Sequence, residues 1–278
     1  MQKCRKRDMS IQKQYLPNMK SEIQKSFLQK LWIGLLLLSY MLFSYYFFGG
    51  WWYSSIGTIL ILFFSLLNWK EEFLKVIGLK LSFIIIIKSL SFAAIATLCS
   101  FYLMQYIAEK HNLNIQFTNW RNYYHDVFYI LNEEVVLGAL ALFLLVNKRK
   151  IKPIVASVGL AVCFSFIHYI FYRWIFSDKG IIQVTTLITL FLIGFVRNNL
   201  IIDNGHIGYS WALHFGWIVI MFGSIHLNND TQMIISEPDR FNYYLGSIET
   251  LVISLALTAI SFLYWLKKNN ICRTKLAI

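Results

Sequence analysis

Residues 131–146 read LNEEVVLGALALFLLV, and they place two adjacent carboxylates, Glu133 and Glu134, inside an apolar run of helix length. Hydrocarbon is a poor solvent for carboxylates, and a charge at the centre of a membrane helix costs roughly 2.5–3.5 kcal/mol on insertion scales. Residues of this kind face a bundle interior or a wet cavity, so the stretch predicts a membrane helix whose acids meet partners. The rest of the chain supports that setting. It is 57% hydrophobic and only 14% charged over 278 residues, more apolar than an ordinary soluble domain requires. The apolar residues come in continuous blocks rather than in alternation, which predicts helices and not barrel strands. The expected fold class is therefore all-α, a polytopic membrane protein.

Eight apolar segments are expected, near 31–48, 51–67, 81–107, 127–146, 154–176, 181–195, 207–222 and 248–266. They define an eight-helix transmembrane bundle over 31–266, flanked by basic tails at 1–30 and 267–278. With the N-terminus cytoplasmic, twenty Lys and Arg fall in inner segments and four (Lys110, Arg121, Lys179, Arg240) in outer ones. That bias fits an even number of spans with both ends inside. The net charge of +12 is accordingly a topology signal and a contact for anionic lipid, with no motif for nucleic acid. No small-residue cleavage site follows the first apolar run, so that span is expected to be retained. The four cysteines, at 4, 99, 163 and 272, are scattered and suggest neither a disulfide framework nor a zinc knuckle. Gly49 and Gly50 are read as a short turn, and the polar loop at 224–247 as a cover over the outer mouth.

The ionisable residues deep in these segments are Lys88, Glu133, Glu134, His168 and His214, with Arg173 near an end. At about 1.5 Å per residue, Glu133 lies about 9 Å from the outer end of its segment, and His168 and His214 about 12 Å from theirs. A carboxylate pair and two imidazoles thus share one level, while Lys88 is near an inner end and can snorkel. Ser157, Ala161, Ser165, His168 and Tyr172 form one helical stripe, and Glu134, Gly138 and Ala141 form another. Close approach of these two stripes is expected to bring His168 to the acids. Such a set suits hydrolysis: one carboxylate acts as general base on water, and the imidazoles orient that water and donate to a developing oxyanion. A lone membrane histidine is more often a packing residue; two neighbouring Glu with two His at matched depth argue for chemistry.

These residues resemble the CAAX protease and bacteriocin-processing (Abi) family, which includes the type II CAAX prenyl endopeptidases. The family pattern is two Glu, three residues and Arg; then Phe, three residues and His; then His, three residues and Asn or Asp. Here it appears as EEVVLG (133–138), FSFIH (164–168) and HFGWI (214–218), within about 120–225. The resemblance implies a metal-free intramembrane endopeptidase of a bacterial cell membrane. Its substrate would be a membrane-associated peptide or protein tail, in some members prenylated. It implies that Glu133 activates the water with His168, that Glu134 supports the pair, and that His214 helps form the oxyanion site, with Phe164 in the second motif. Two positions depart: Gly138 stands in place of Arg, and Ile218 in place of Asn. Trp217 is expected to substitute as an N–H donor, and Arg173 to supply the absent cation.

The departures also motivate an alternative, a catalytically impaired member that acts by binding, as an immunity or membrane-assembly protein. A proton-coupled carrier is a third reading, weakened by the lack of an evident inverted repeat. Zinc held by His168, His214 and Glu133 is a variant of the first reading, without an HExxH arrangement behind it. The charge pattern puts the polar layer in the outer half of the membrane, whereas CAAX substrates are cytoplasmic, so the two lines of argument differ on the side to which the site opens.

Overall fold

The computed structural model describes residues 53–117, 120–170, 183–220, 225–228 and 237–276, with single positions at 29, 32 and 235. Helix α1 (Tyr53–Trp69) runs into a 3-10 turn and one helical turn, Phe73–Val76. Then follow α2 (Phe83–Lys110), α3 (Trp120–Glu133), α4 (Pro153–Ile170) and α5 (Val184–Asn204). After these come α6 (Gly208–Ile218), the short α7 (Glu237–Tyr244) and α8 (Ile248–Leu276). Strands β1 (Asn114–Phe117) and β2 (Ile225–Asn228) pair antiparallel, with Asn114 opposite Asn228.

Four stretches are long and apolar enough to cross a membrane: Phe83–Lys110, Tyr123–Lys148, Val184–Asn204 and Ile248–Lys267. The 28 residues of α2 span about 42 Å, against a hydrocarbon core of about 30 Å. Its outer surface presents Phe83, Ile84, Ile87, Leu90, Ile95 and Leu98, an apolar face far larger than a water-soluble helix tolerates. Apart from Gln29 and Trp32, the expected segment at 31–48, the Gly49–Gly50 turn and the basic stretch before them lie outside the described residues, as do 171–182.

One boundary moves in a way that matters. The segment expected to end at 195 continues to Asn204. It stops where Gly205 adopts a left-handed conformation (φ 68°) and its N–H closes on the Ile201 carbonyl at 2.8 Å. Arg197, counted in the sequence as a loop cation, is therefore inside a helix and only 2% exposed. Removing it from the inner loops leaves the charge bias intact.

The second change is in helix three. Beyond Glu133 it continues as π-helix over Glu134–Leu140 and again over Phe143–Lys148. π-turns widen the backbone spiral and recur at functional sites; here the first begins at the second carboxylate.

Two apolar clusters form the core. One contains Met104, Phe164, Ile193, Trp217, Phe241 and Tyr244; the other contains Ile61, Ile77, Val135, Ile201 and Ile207. On α5, Arg197 falls between Ile193 of the first cluster and Ile201 of the second. His214 on α6 falls between Trp217 and Ile207, the residue just before that helix, in the same way. The polar layer is thus sandwiched between two dry layers.

The small-residue stripes pack differently from expectation. The Ser157–Ala161–Ser165 stripe lies on α5, not on the helix of the carboxylates. Ser165 donates to the Leu187 carbonyl at 2.7 Å, Ser157 donates to the Phe195 carbonyl, and Gly194 sits against Ala161. Gly138 also abuts α5: a β-carbon there would stand 2.7 Å from Ile201 Cδ1. Helix α5 therefore lies between the two stripes, because both offer it close approach.

Helices α2 and α6 make another close contact. A β-carbon on Gly216 would lie 2.6 Å from Ala96 Cβ and 2.7 Å from the Thr97 backbone nitrogen. Gly216→Val is expected to destabilise the protein by about 1–3 kcal/mol, because backbone has to move. Thermal unfolding in detergent checks this; an unchanged midpoint would show that the helices separate freely.

Candidate active site

Glu133 and Glu134 sit where α3 turns π-helical, and both are buried, at 5% and 0% exposure. A neighbouring amide anchors this point. Asn132 accepts from the Thr58 hydroxyl at 2.7 Å and donates to the Ser54 carbonyl at 3.0 Å, tying α1 to α3. One turn earlier, the Tyr129 hydroxyl donates to Glu133 Oε1 at 2.8 Å.

His214 on α6 joins the two acids. Its Nδ1 donates to Glu134 Oε1 at 2.9 Å, and its Nε2 stands 3.5 Å from Glu133 Oε2. The ring is held by one short bond and faces Glu133 through a longer gap. The oxyanion role implied for His214 would need Nε2 to turn from Glu133 to substrate; as folded, the ring bridges the carboxylates.

Arg197 on α5 supplies a cation. Its Nη1 lies 3.6 Å from Glu134 Oε1, and its Cζ stacks 4.5 Å over the Phe164 ring. Asn198 holds the guanidinium by accepting from Nη2 at 3.4 Å, while its own amide donates to the Ser157 carbonyl at 3.0 Å. Arg197 thus brings a cation to Glu134 from the neighbouring helix, the charge expected at 138; Arg173, expected to supply it, lies outside the described residues. Gly138 takes part differently, since its missing side chain lets α5 come close enough. Its β-carbon position is 3.5 Å from Glu134 Oε2.

His168 completes the set through Phe164. Its Nδ1 must carry the proton donated to the Phe164 carbonyl at 2.8 Å, because a carbonyl only accepts. In the neutral ring that leaves Nε2 as an acceptor. The Phe164 ring meets His168 edge-on at 4.7 Å and His214 at 5.9 Å, so one aromatic separates the two imidazoles. His168 lies within electrostatic reach of Glu133, His214 and Arg197. On its other side is Phe241 of α7, with ring centres 5.9 Å apart.

The remaining expectations fare unevenly. Trp217 packs in the apolar cluster of Met104 and Phe164, and its Nε1 makes no hydrogen bond among the described residues. Ile218 ends α6 and offers no donor in place of the expected Asn. Among the described residues, no group of three or more His, Cys, Asp or Glu is placed to hold a metal ion. Within the segment expected as a loop at 224–247, β2 pairs with β1, and α7 buries Phe241 and Arg240.

Reading the sequence missed Tyr129, Arg197 and Ser210. Tyr129 precedes Glu133 by four residues, a spacing that puts both on one helix face. Arg197 was legible in FVRNNLII, where apolar residues resume after the polar triplet. Ser210 approaches Glu134, but its single proton goes to the Ile207 carbonyl at 2.9 Å. Among the described residues, Glu134 Oε2 is accordingly left without a hydrogen-bond partner.

Below this layer, between α5 and α6, His206 accepts from the Gly208 N–H through Nδ1 at 3.1 Å. Burial, and then the nearby Lys80 charge, push its pKa below the ordinary value of 6.5. The unfolded chain therefore binds this proton more readily, and stability present above pH 6.5 is lost as pH falls below it. Unfolding midpoints between pH 7.5 and 5 should decline, and His206→Asn should flatten that decline. An unaltered slope in the variant would assign the effect elsewhere.

Comparison of the chain with protein-family models, with curated proteins and with solved structures found no match.

Proposed function

We propose that this chain is an eight-span integral membrane protein with cytoplasmic termini that hydrolyses a peptide bond using water activated by Glu133. The observation that carries this reading is the convergence of Glu133, Glu134, His214 and Arg197 from three helices in a layer between two apolar cores. One guanidinium offsets one carboxylate. His214 stands between the two acids and faces both of them.

In the proposed reaction Glu133 takes a proton from water as the new C–O bond forms at the scissile carbonyl. The developing oxyanion is met by an N–H of Arg197, or by His214 Nε2–H once it turns from Glu133 to substrate. The C–N bond then breaks as the leaving amine takes the proton from Glu133, releasing a carboxylic acid and an amine. His168, with Nε2 as acceptor, orients the water. Tyr129 fixes the Glu133 carboxylate, and Glu134 fixes His214. The burial of Phe241 against His168 supports entry of substrate from the inner or lateral side rather than through α7. That side suits a cytoplasmic, membrane-associated peptide tail, prenylated or not, as in the resembled endopeptidases.

The departure at Ile218 favours the second reading, a binding protein of the immunity or assembly kind, since an oxyanion donor is missing at that position. The deciding experiment is incubation of purified protein, and of its Glu133→Ala form, with prenylated and unprenylated peptide libraries. Cleavage by the parent alone supports the hydrolase. Absence of cleavage by both, with the biological effect retained in Glu133→Ala cells, supports the binding protein.

A further inference from the structure

A cleft of about 190 Å³ opens where the turn at 78–80 and the first turns of α2 meet Leu131 of α3 and the start of α6. None of the members of the Glu–His–Arg cluster lines it. Its walls are apolar, with Ile85, Ile86, Leu90, Leu131 and Ile207, and three side chains interrupt them: Lys80, Ser89 and His206. The indole of Trp211 adds no free polar group, since its Nε1 donates to the Val127 carbonyl at 3.3 Å. No carboxylate stands among the lining residues.

His206 determines what these walls present. Its Nδ1 accepts from the Gly208 N–H at 3.1 Å, so the neutral ring carries its own proton on Nε2. The residue is 5% exposed, and Nε2 has no hydrogen-bond partner among the described residues. A buried donor left in this state costs about 1–3 kcal/mol until an acceptor reaches it. Ser89 Oγ is also buried without a partner among the described residues. A β-carbon on Gly208 would collide with that hydroxyl and stand 3.1 Å from His206 Nδ1, so the glycine lets hydroxyl and imidazole lie side by side. The Lys80 charge acts on the same imidazole, and Lys80 makes no ion pair among the described residues. An ammonium and a buried N–H thus border one apolar cleft, and nothing lining it balances them.

Charge and size narrow the occupant. Two donors and one positive charge call for a compact monoanion with two oxygens, which a carboxylate is. The volume is below the roughly 300–1,000 Å³ of ordinary ligand pockets, too small to enclose a two-chain lipid. Ile86 and Leu90 line the cleft and are also exposed on the outer surface of α2, a path for one hydrocarbon chain. We propose that this cleft binds a single-chain fatty acid of the inner leaflet, its carboxylate accepting from His206 Nε2–H and from Lys80, its chain passing over Ile86 and Leu90 into the bilayer. The inner leaflet follows from the charge-derived topology, in which Lys80 is an inner residue. The proposal rests on the apolar helices being membrane spans and not on the peptidase reading, so a Glu133→Ala protein should bind the acid as the parent does.

The test is equilibrium dialysis of the full chain, in uncharged detergent at neutral pH, against radiolabelled decanoate, decanol and decyl phosphate. Decanoate should bind saturably and about tenfold more tightly than the other two, the worth of one charge-assisted hydrogen bond. Lys80→Gln and His206→Phe should each weaken decanoate by a similar factor, and Lys80→Arg should preserve it. Ile85→Trp should expel the acid without changing a charge. Circular dichroism confirms that each variant keeps its helix content, and Lys80, being exposed, is the change least able to disturb the fold. Equal binding of decanoate and decanol, or binding indifferent to both Lys80→Gln and His206→Phe, would overturn the site and leave only partition into apolar surface. Tighter binding of decyl phosphate would overturn the carboxylate in favour of a phosphorylated lipid. No saturable binding would also overturn it and would mean that the cleft is closed by another occupant, such as residues 31–48 of the same chain.

Discussion

Arg197→Met is expected to destabilise the protein by about 3–5 kcal/mol, the usual cost of leaving one partner of a buried ion pair without the other. Arg197 and Glu134 are 2% and 0% exposed, so no solvent compensates when the guanidinium is removed. Met keeps an unbranched stem but ends short of the guanidinium over Phe164, so the single variant loses both charge and packing, and the double variant separates the two. The double variant Arg197→Met, Glu134→Gln should recover much of the stability, because it removes the stranded carboxylate as well. Chemical or thermal unfolding of the four proteins closes the cycle. A single variant with parental stability, or a double variant no better than the single one, would show that the pair does not hold the layer together. A lysine at 197 is a weaker substitute than its charge suggests, since Arg197 uses three groups at once: Glu134, the Asn198 carbonyl and the Phe164 face.

Glu133→Gln separates chemistry from architecture. Its amide oxygen still accepts from Tyr129, so the fold should tolerate the change, whereas its loss as a general base should lower peptide hydrolysis about 100- to 10,000-fold. Glu134→Gln should do the reverse in part. It weakens the anchor of His214 and leaves Arg197 without its countercharge, so stability falls along with rate. Measured together, the variants assign the two acids different work. Equal rates for Glu133→Gln and the parent would remove Glu133 as the base, and with it the proposed mechanism.

Much of this was legible in one dimension. The acids and imidazoles could be placed at matched depth because helix rise converts sequence distance into height. Glu133, Glu134 and His214 do share a layer, and His168 lies near it across Phe164. Arg197 was misread because RNN interrupts an apolar run and looks like a loop; the helix continues because Glu134 meets Arg197, the Ser157 carbonyl accepts from Asn198 and Ser261 accepts from Asn199 inside the protein. The π-turns of helix three had no signature in LNEEVVLGALALFLLV, since they depend on packing around that helix rather than on its residues.

By itself, then, the sequence determined that the chain is mostly helical with stretches apolar and long enough to cross a membrane, that Glu133, Glu134 and His214 share a level, and which positions are small enough for close contact. Only the tertiary structure decided who meets whom. Depth follows from counting residues, but the rotation of each helix about its axis follows from the side chains of its neighbours. Gly138 and the Ser157–Ala161–Ser165 stripe both turned out to face α5, and that choice carried Arg197 to Glu134.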